Sequence, residues 1–202
     1  MKRHFSILFI LVFFGFVTPN QETILVDVST LNTTFDFEIR YATTNNFVGE
    51  AVYDCAKCIL LPNVAEALVK ANMYFCKKGY RIKFYDCYRP LDVQKKLWEK
   101  VPNPAYVANP YDGASIHNRG AAVDITLVTL EGCFVDMGTD YDFFGRKAHI
   151  DNFDHSEEVL ANRKTLFEGM KLFGFSPIRT EWWHFSYKKN SGPVLNEPLP
   201  CN

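Results

Sequence analysis

Two short segments, far apart in the chain, carry side chains that could together hold a metal ion and activate water. The first, Ser115-Ile116-His117-Asn118-Arg119-Gly120-Ala121-Ala122-Val123-Asp124, puts an imidazole at the end of a loop and a carboxylate inside an apolar run. An ionised Asp is costly to bury alone, so Asp124 must meet a cation, a metal or several hydrogen-bond donors. The second, Glu181-Trp182-Trp183-His184, adds another imidazole with a carboxylate three residues earlier. Two His and one Asp leave the fourth position of a tetrahedral Zn²⁺ open to water, as a catalytic rather than a structural site requires. Taken singly, each segment has a blander reading. A loop His is commonly a surface or core-satisfied residue, and Glu-Trp-Trp-His could be an aromatic cluster at a sheet edge. Their joint occurrence is far more specific than either half.

The elements that must position these residues can be read from periodicity. Residues 20–58 alternate short apolar stretches, such as Ile24-Leu25-Val26-Asp27-Val28, with polar turns, and read as strands and loops. Pro62 opens a helix in which Val64, Leu68, Ala71 and Phe75 recur at helical spacing, and Gly79 stands where it stops. Tyr80 to Asp86 alternates as a half-buried strand, with Ile82 and Phe84 on one face. Pro90 is placed as the first residue of a second helix through Val93, Leu97 and Trp98, ending near Lys100. Residues 101–116 carry three prolines and read as irregular surface chain. Ala121 to Leu130 predicts a central strand around Asp124. Ser156, followed by Glu157 and Glu158, predicts the cap of a third helix that runs to Gly174, and Trp182 to Tyr187 a last strand. Helices and strands interleave without a regular βαβ repeat. The expected fold is therefore α+β: one domain, with a central, mostly antiparallel sheet flanked by helices and the zinc site at the sheet.

The 202-residue chain carries 22 basic and 23 acidic residues, so no global field draws it to nucleic acid or to anionic lipid, and a small substrate fits better. Met1-Lys2-Arg3-His4 and the apolar run Phe5 to Val17 have the form of a secretory signal, read here as residues 1–20, with residues 21–202 as the catalytic domain. The run falls short of the ~20 residues of a membrane span, so no stable span is expected after cleavage. The expected destination is periplasmic or secreted. Six cysteines, Cys55, Cys58, Cys76, Cys87, Cys133 and Cys201, then suggest disulfides, in pairings the sequence does not choose among. Cys55-x-x-Cys58 lacks the second CxxC of a zinc knuckle, and Cys76 or Cys87 could instead be a buried free thiol.

The two metal segments resemble the zinc D-alanyl-D-alanine dipeptidases of the VanX type, whose pattern is S-x-H-x-x-G-x-A-x-D followed by E-x-W-H. Ser115, His117, Gly120, Ala122 and Asp124 fill the first motif, and Glu181, Trp183 and His184 the second. Further matches at Tyr41-Ala42-Thr43, Asn46-Phe47, Asp86-x-Tyr88-Arg89-Pro90, Met137-Gly138 and Asp142-Phe143 extend the resemblance over most of the chain. The resemblance implies one Zn²⁺ per chain held by His117, Asp124 and His184, with Glu181 as the base that takes a proton from water and passes it to the leaving amine. It implies that Arg89 faces the scissile carbonyl oxygen, oriented by Asp86, and that Tyr41, Asp142 and Ser115 contact a small D,D-dipeptide. Trp182 and Trp183 are expected to pack on either side of their strand, and His149 and His155 to lie at the surface. The metal motifs are shared with D,D-carboxypeptidases and endopeptidases acting on longer peptidoglycan peptides, which is the main alternative. A non-catalytic zinc-dependent binding module is another, although it would have no need of Glu181 or Arg89.

Overall fold

The computed structural model describes residues 24–31, 34–187 and 192–201, so the expected signal segment lies outside the described residues. In chain order the regular elements are β1 (Val26–Asp27), β2 (Asp36–Phe37), β3 (Ile59–Leu60), α1 (Pro62–Cys76), β4 (Tyr80–Asp86), α2 (Leu91–Lys100), β5 (Ala122–Thr129), α3 (Glu157–Leu172), β6 (Phe175–Ile178) and β7 (Glu181–Tyr187). Five of the strands form one sheet in the order β2-β4-β5-β7-β6, while β1 and β3 pair separately. All pairings in the large sheet are antiparallel except β2 with β4 at one edge, so the α+β architecture is as expected. No helix among the described residues is long and apolar enough to cross a membrane.

Register decides which side chains share a face. Asp124 pairs with His184 and Ala122 with Ser186, while Val123 pairs with Phe185. Because strand residues alternate, Asp124, His184 and Ser186 point to one face, and Val123, Ile125 and Phe185 to the other. Phe167 of α3 packs against Phe185 and so covers the apolar face. Helix α1 joins it there, with Val64, Leu68, Ala71 and Phe75 fully buried. Gly169 of α3 sits directly over the Phe75 ring, and any larger residue would collide with it. Asn72 of α1 accepts a hydrogen bond from the Ile82 amide at 2.8 Å, just past the end of the two-residue neighbour β2. It stands in for the missing strand partner of a buried N–H.

Several expectations are corrected in detail. Pro90 is not the first helical residue but the one before it: its ψ of 143° is extended, and its carbonyl accepts from Val93 and Gln94. Ser156 does cap α3, accepting from the Val159 amide, and Gly79 makes the left-handed turn from α1 into β4 with φ +87°. Strand β6 carries no strand signal in the sequence because Pro177 lies within it. The proline is tolerated because β6 is an edge strand. Of the six cysteines, four form the bridges Cys55–Cys201 and Cys58–Cys87, whereas Cys76 and Cys133 are unbridged. Cys87 is therefore not a free thiol. His149 and His155 are half-buried rather than surface residues; a ring nitrogen of His155 lies 2.9 Å from the Lys147 carbonyl.

The Cys55–Cys201 bridge spans 146 residues and pins a C-terminal segment in which Leu195 pairs by backbone with Leu91 and Asn118. Replacing both cysteines by serine frees that long loop in the unfolded chain and should cost about 2–5 kcal/mol of stability. Urea unfolding of the double variant, with an unchanged midpoint as the contrary result, checks this.

Candidate functional site

His117, Asp124 and His184 come together from three places in the fold. Asp124 is on β5, directly across from His184 on β7, and His117 is on a 3₁₀ turn over Ile116–Arg119 just before β5. The turn is built by its own sequence. Ser115 accepts from the His117 amide at 3.2 Å, Asn118 accepts from the Ser115 amide at 2.7 Å, and Gly120 closes the turn in the left-handed region at φ +64°. A side chain at Gly120 would also strike Leu25. The motif residues Ser115 and Gly120 thus shape the chain so that His117 faces the sheet.

The three side chains are buried and place ligand atoms at one point. His117 Nε2 lies 3.2 Å from Asp124 Oδ1 and 3.1 Å from His184 Nδ1, and His184 Nδ1 lies 3.0 Å from Asp124 Oδ1. Each ring is held from behind. His117 Nδ1 donates to the Cys87 carbonyl at 2.7 Å, which leaves Nε2 of the neutral ring as a lone pair. His184 Nε2 meets Ser186 Oγ at 2.9 Å, so its N–H can be satisfied there and Nδ1 left bare as well. The second oxygen of Asp124 accepts from the Tyr141 hydroxyl at 3.0 Å. Three lone-pair atoms then face one another, an arrangement that repels unless a cation lies among them. The donor set and its backing hydrogen bonds fit a divalent metal ion. With no metal ion present, the Asp124 carboxylate draws a proton toward the same point. Burial disfavours charge on His117, but the Asp124 carboxylate outweighs it and raises the pKa. Burial likewise opposes ionisation of Asp124, yet the two imidazoles hold its carboxyl below the usual range.

Arg89 is the second feature. Its Nε and Nη2 donate to one oxygen of Asp86 at 3.0 and 2.6 Å, and Nη1 donates to Gln94 at 2.8 Å. The other Asp86 oxygen accepts from the Tyr53 hydroxyl at 2.6 Å and from the Cys87 amide at 2.9 Å. The guanidinium lies over the Tyr41 ring, 5.0 Å from its centroid, and its Nη2 is 3.9 Å from Asp124 Oδ2. Both members of the ion pair are buried, so its worth lies in holding the cation in one orientation rather than in net stability.

A cavity of about 250 Å³ opens onto these groups, lined among others by Arg89, Ser115, Glu181, Asp142 and Tyr41. Glu181 begins β7, with Oε2 3.9 Å from His184 Nδ1. Burial pushes its carboxyl up to about 7, with His184 opposing the shift and Asp124 adding to it. Asp142 has a left-handed backbone, φ +58°, unusual outside glycine, and accepts from the Tyr41 hydroxyl at 3.0 Å. Burial, then the negative charge of Asp124, raises its carboxyl well above the ordinary range, which favours the protonated form unless a cation lies close. Trp182 and Trp183 are buried, Trp182 donating to Thr139 and Trp183 packing edge-on to Tyr141.

All nine residues singled out in the sequence thus fall at one site. Four others were not foreseen. Ser186 could have been, because it lies two residues from His184 and so shares its face. Gln94 also gave a signal, as a polar residue beside Val93 on the buried side of α2, where it bridges Arg89 to the Ala108 carbonyl at 2.7 Å. Tyr53 and Tyr141 carry no local signature.

Convergent metal ligands, a carboxylate beside them and a fixed guanidinium on one small cavity are the equipment of a metallopeptidase. The family model described as Peptidase_M15, D-ala-D-ala dipeptidase, matches residues 21–201, and the chain belongs to this family of peptidases. It is 33% identical over 183 residues to the D-alanyl-D-alanine dipeptidase of Escherichia coli strain K12, covering 90% of this chain and 94% of that protein. It is 28% identical over 184 residues to the protein of the same name from Enterococcus faecalis, covering 81% and 88%.

Ser186→Ala removes the partner that turns His184 Nδ1 toward the site. Divalent-metal affinity, measured by competition with a chromophoric chelator, should fall about 10–100-fold. Unchanged affinity would show that the Ser186 contact does not orient the ring.

Proposed function

We propose that the chain hydrolyses D-alanyl-D-alanine to free D-alanine, using one Zn²⁺ held by His117, Asp124 and His184. The observation that carries this reading is the pairing of a candidate metal-ligand set with a half-buried carboxylate, Asp142, held by the Tyr41 hydroxyl, on one cavity of about 250 Å³. A free dipeptide has an ammonium group close to its scissile bond, which Asp142 on this cavity would suit, and the dipeptidase names of the relatives support the same substrate. When bound, Zn²⁺ supplies Lewis acidity to the scissile carbonyl and makes water more acidic.

The protein's own groups do the rest. Glu181, whose half-buried carboxyl is raised toward neutrality, takes a proton from the attacking water and delivers it to the departing amine nitrogen. Arg89 directs its cation at the carbonyl oxygen as negative charge develops there, and the contacts to Asp86 and Gln94 hold it still, so little reorganisation is needed. Asp142, steadied by Tyr41, receives the substrate ammonium, and Ser115 lines the wall nearby. The two disulfides favour an oxidising compartment, in keeping with a periplasmic or secreted enzyme.

The zinc-loaded protein should cleave D-Ala-D-Ala and leave its N-acetyl form intact, since acetylation removes the charge that Asp142 would bind. Equal rates on both would contradict the dipeptidase reading and favour longer wall peptides as substrates. Glu181→Ala should retain zinc by elemental analysis while kcat drops about 10²–10⁴-fold. An undiminished kcat would remove Glu181 from the chemistry.

A further inference from the structure

Three aromatic rings from three separate segments meet beside the cavity, two of them in its lining. The Phe144 ring stacks on Tyr106 with centroids 4.6 Å apart and planes 25° from parallel, and lies 5.0 Å from the ring of Phe47. Phe47 in turn meets the Tyr41 ring edge-on at 6.2 Å. Phe47 and Tyr106 both line the cavity, with Phe144 between them. The row Tyr106–Phe144–Phe47 therefore ties the loop after α2 to the segment just past Tyr41, and its middle ring is only two residues from Asp142.

Both ends of the row are anchored. Val107 is buried, the Ala108 carbonyl is held by Gln94, and the amides of Tyr106 and Val107 both donate to the Asn103 carbonyl. Asn46, next to Phe47, donates from Nδ2 to the carbonyls of Arg40, Thr43 and Glu50. Tyr106 itself is 39% exposed, so its ring is not needed to fill the core.

We infer that this aromatic row is a length gate: it walls the cavity beyond Asp142 and Tyr41, so a peptide carrying one more residue on its amino end finds no room. The inference rests on the dipeptidase reading, in which the substrate ammonium meets Asp142. Two loops and a side chain stacked between them form the wall, rather than a strand of the sheet. Removing one ring should therefore open the cavity without disturbing the metal ligands.

The test compares kcat/KM for D-Ala-D-Ala and for the tripeptide D-Ala-D-Ala-D-Ala in the zinc-loaded wild type, Tyr106→Ala, Phe144→Ala and Tyr106→Phe. Either alanine variant should raise the tripeptide-to-dipeptide ratio by about tenfold or more. Tyr106→Phe, which keeps the ring, should leave the ratio at the wild-type value, and thermal midpoint and zinc content should stay unchanged in Tyr106→Ala. A wild type that splits the dipeptide, with the ratio unmoved in both alanine variants, overturns the gate and leaves the dipeptidase reading intact. A wild type that splits the tripeptide as readily as the dipeptide, or splits neither, overturns the dipeptidase reading and the gate with it.

Discussion

The site is organised around three candidate ligand atoms whose bare lone pairs would repel one another unless a cation lay among them. His117 Nε2, His184 Nδ1 and Asp124 Oδ1 lie within 3.2 Å of one another on buried side chains that line the cavity. Such a cluster persists only if each member is held from behind and a cation is able to sit among them. The holding contacts come from all over the fold: the Cys87 carbonyl after β4, Ser186 on β7 and Tyr141 on the long connection after β5. The antiparallel pairing of β5 with β7 puts two of the three ligands opposite each other without any loop having to reach across. Because both sit on strands, the centre inherits the rigidity of the sheet.

The turn that leaves β4 links the candidate metal site to the guanidinium. Asp86 takes donors from Arg89, Tyr53 and the Cys87 amide, while the carbonyl of Cys87 accepts from His117 and its sulfur is bonded to Cys58. One residue thus receives a covalent tether, orients the His117 ring and caps the carboxylate that holds the guanidinium. The C-terminal segment braces the same turn from outside, where the Tyr88 hydroxyl donates to the Glu197 carbonyl and the Leu195 amide donates to the carbonyl of Asn118. Asn118 closes the circuit by donating to the Arg89 carbonyl.

What the sequence made legible follows from range. Helices α1 and α3 and strands β4, β5 and β7 announce themselves by periodicity and caps, because each buries a face along its own length. Strands β1, β2 and β3 are two residues each and too short to show a period, and Pro177 hides β6. The candidate ligands His117, Asp124 and His184 could be picked out because metal chemistry restricts residue type and local spacing. Tyr53 and Tyr141 could not, because a tyrosine that orients a carboxylate 33 or 17 residues away looks like any other core aromatic. The cysteines show the same limit: their number and an oxidising destination suggested bridges, but the pairing depends on which segments the fold brings together.

The most direct measurement is Zn²⁺ titration of chelator-stripped protein, with binding and D-Ala-D-Ala cleavage followed in the same samples, for the wild type and for Asp124→Ala. One equivalent bound per chain, cleavage rising in proportion to occupancy, and loss of both in the Asp124 variant is the expected result. Cleavage at full rate in protein verified to hold no metal, or tight binding that survives removal of Asp124, would contradict a metal centre built from these three residues.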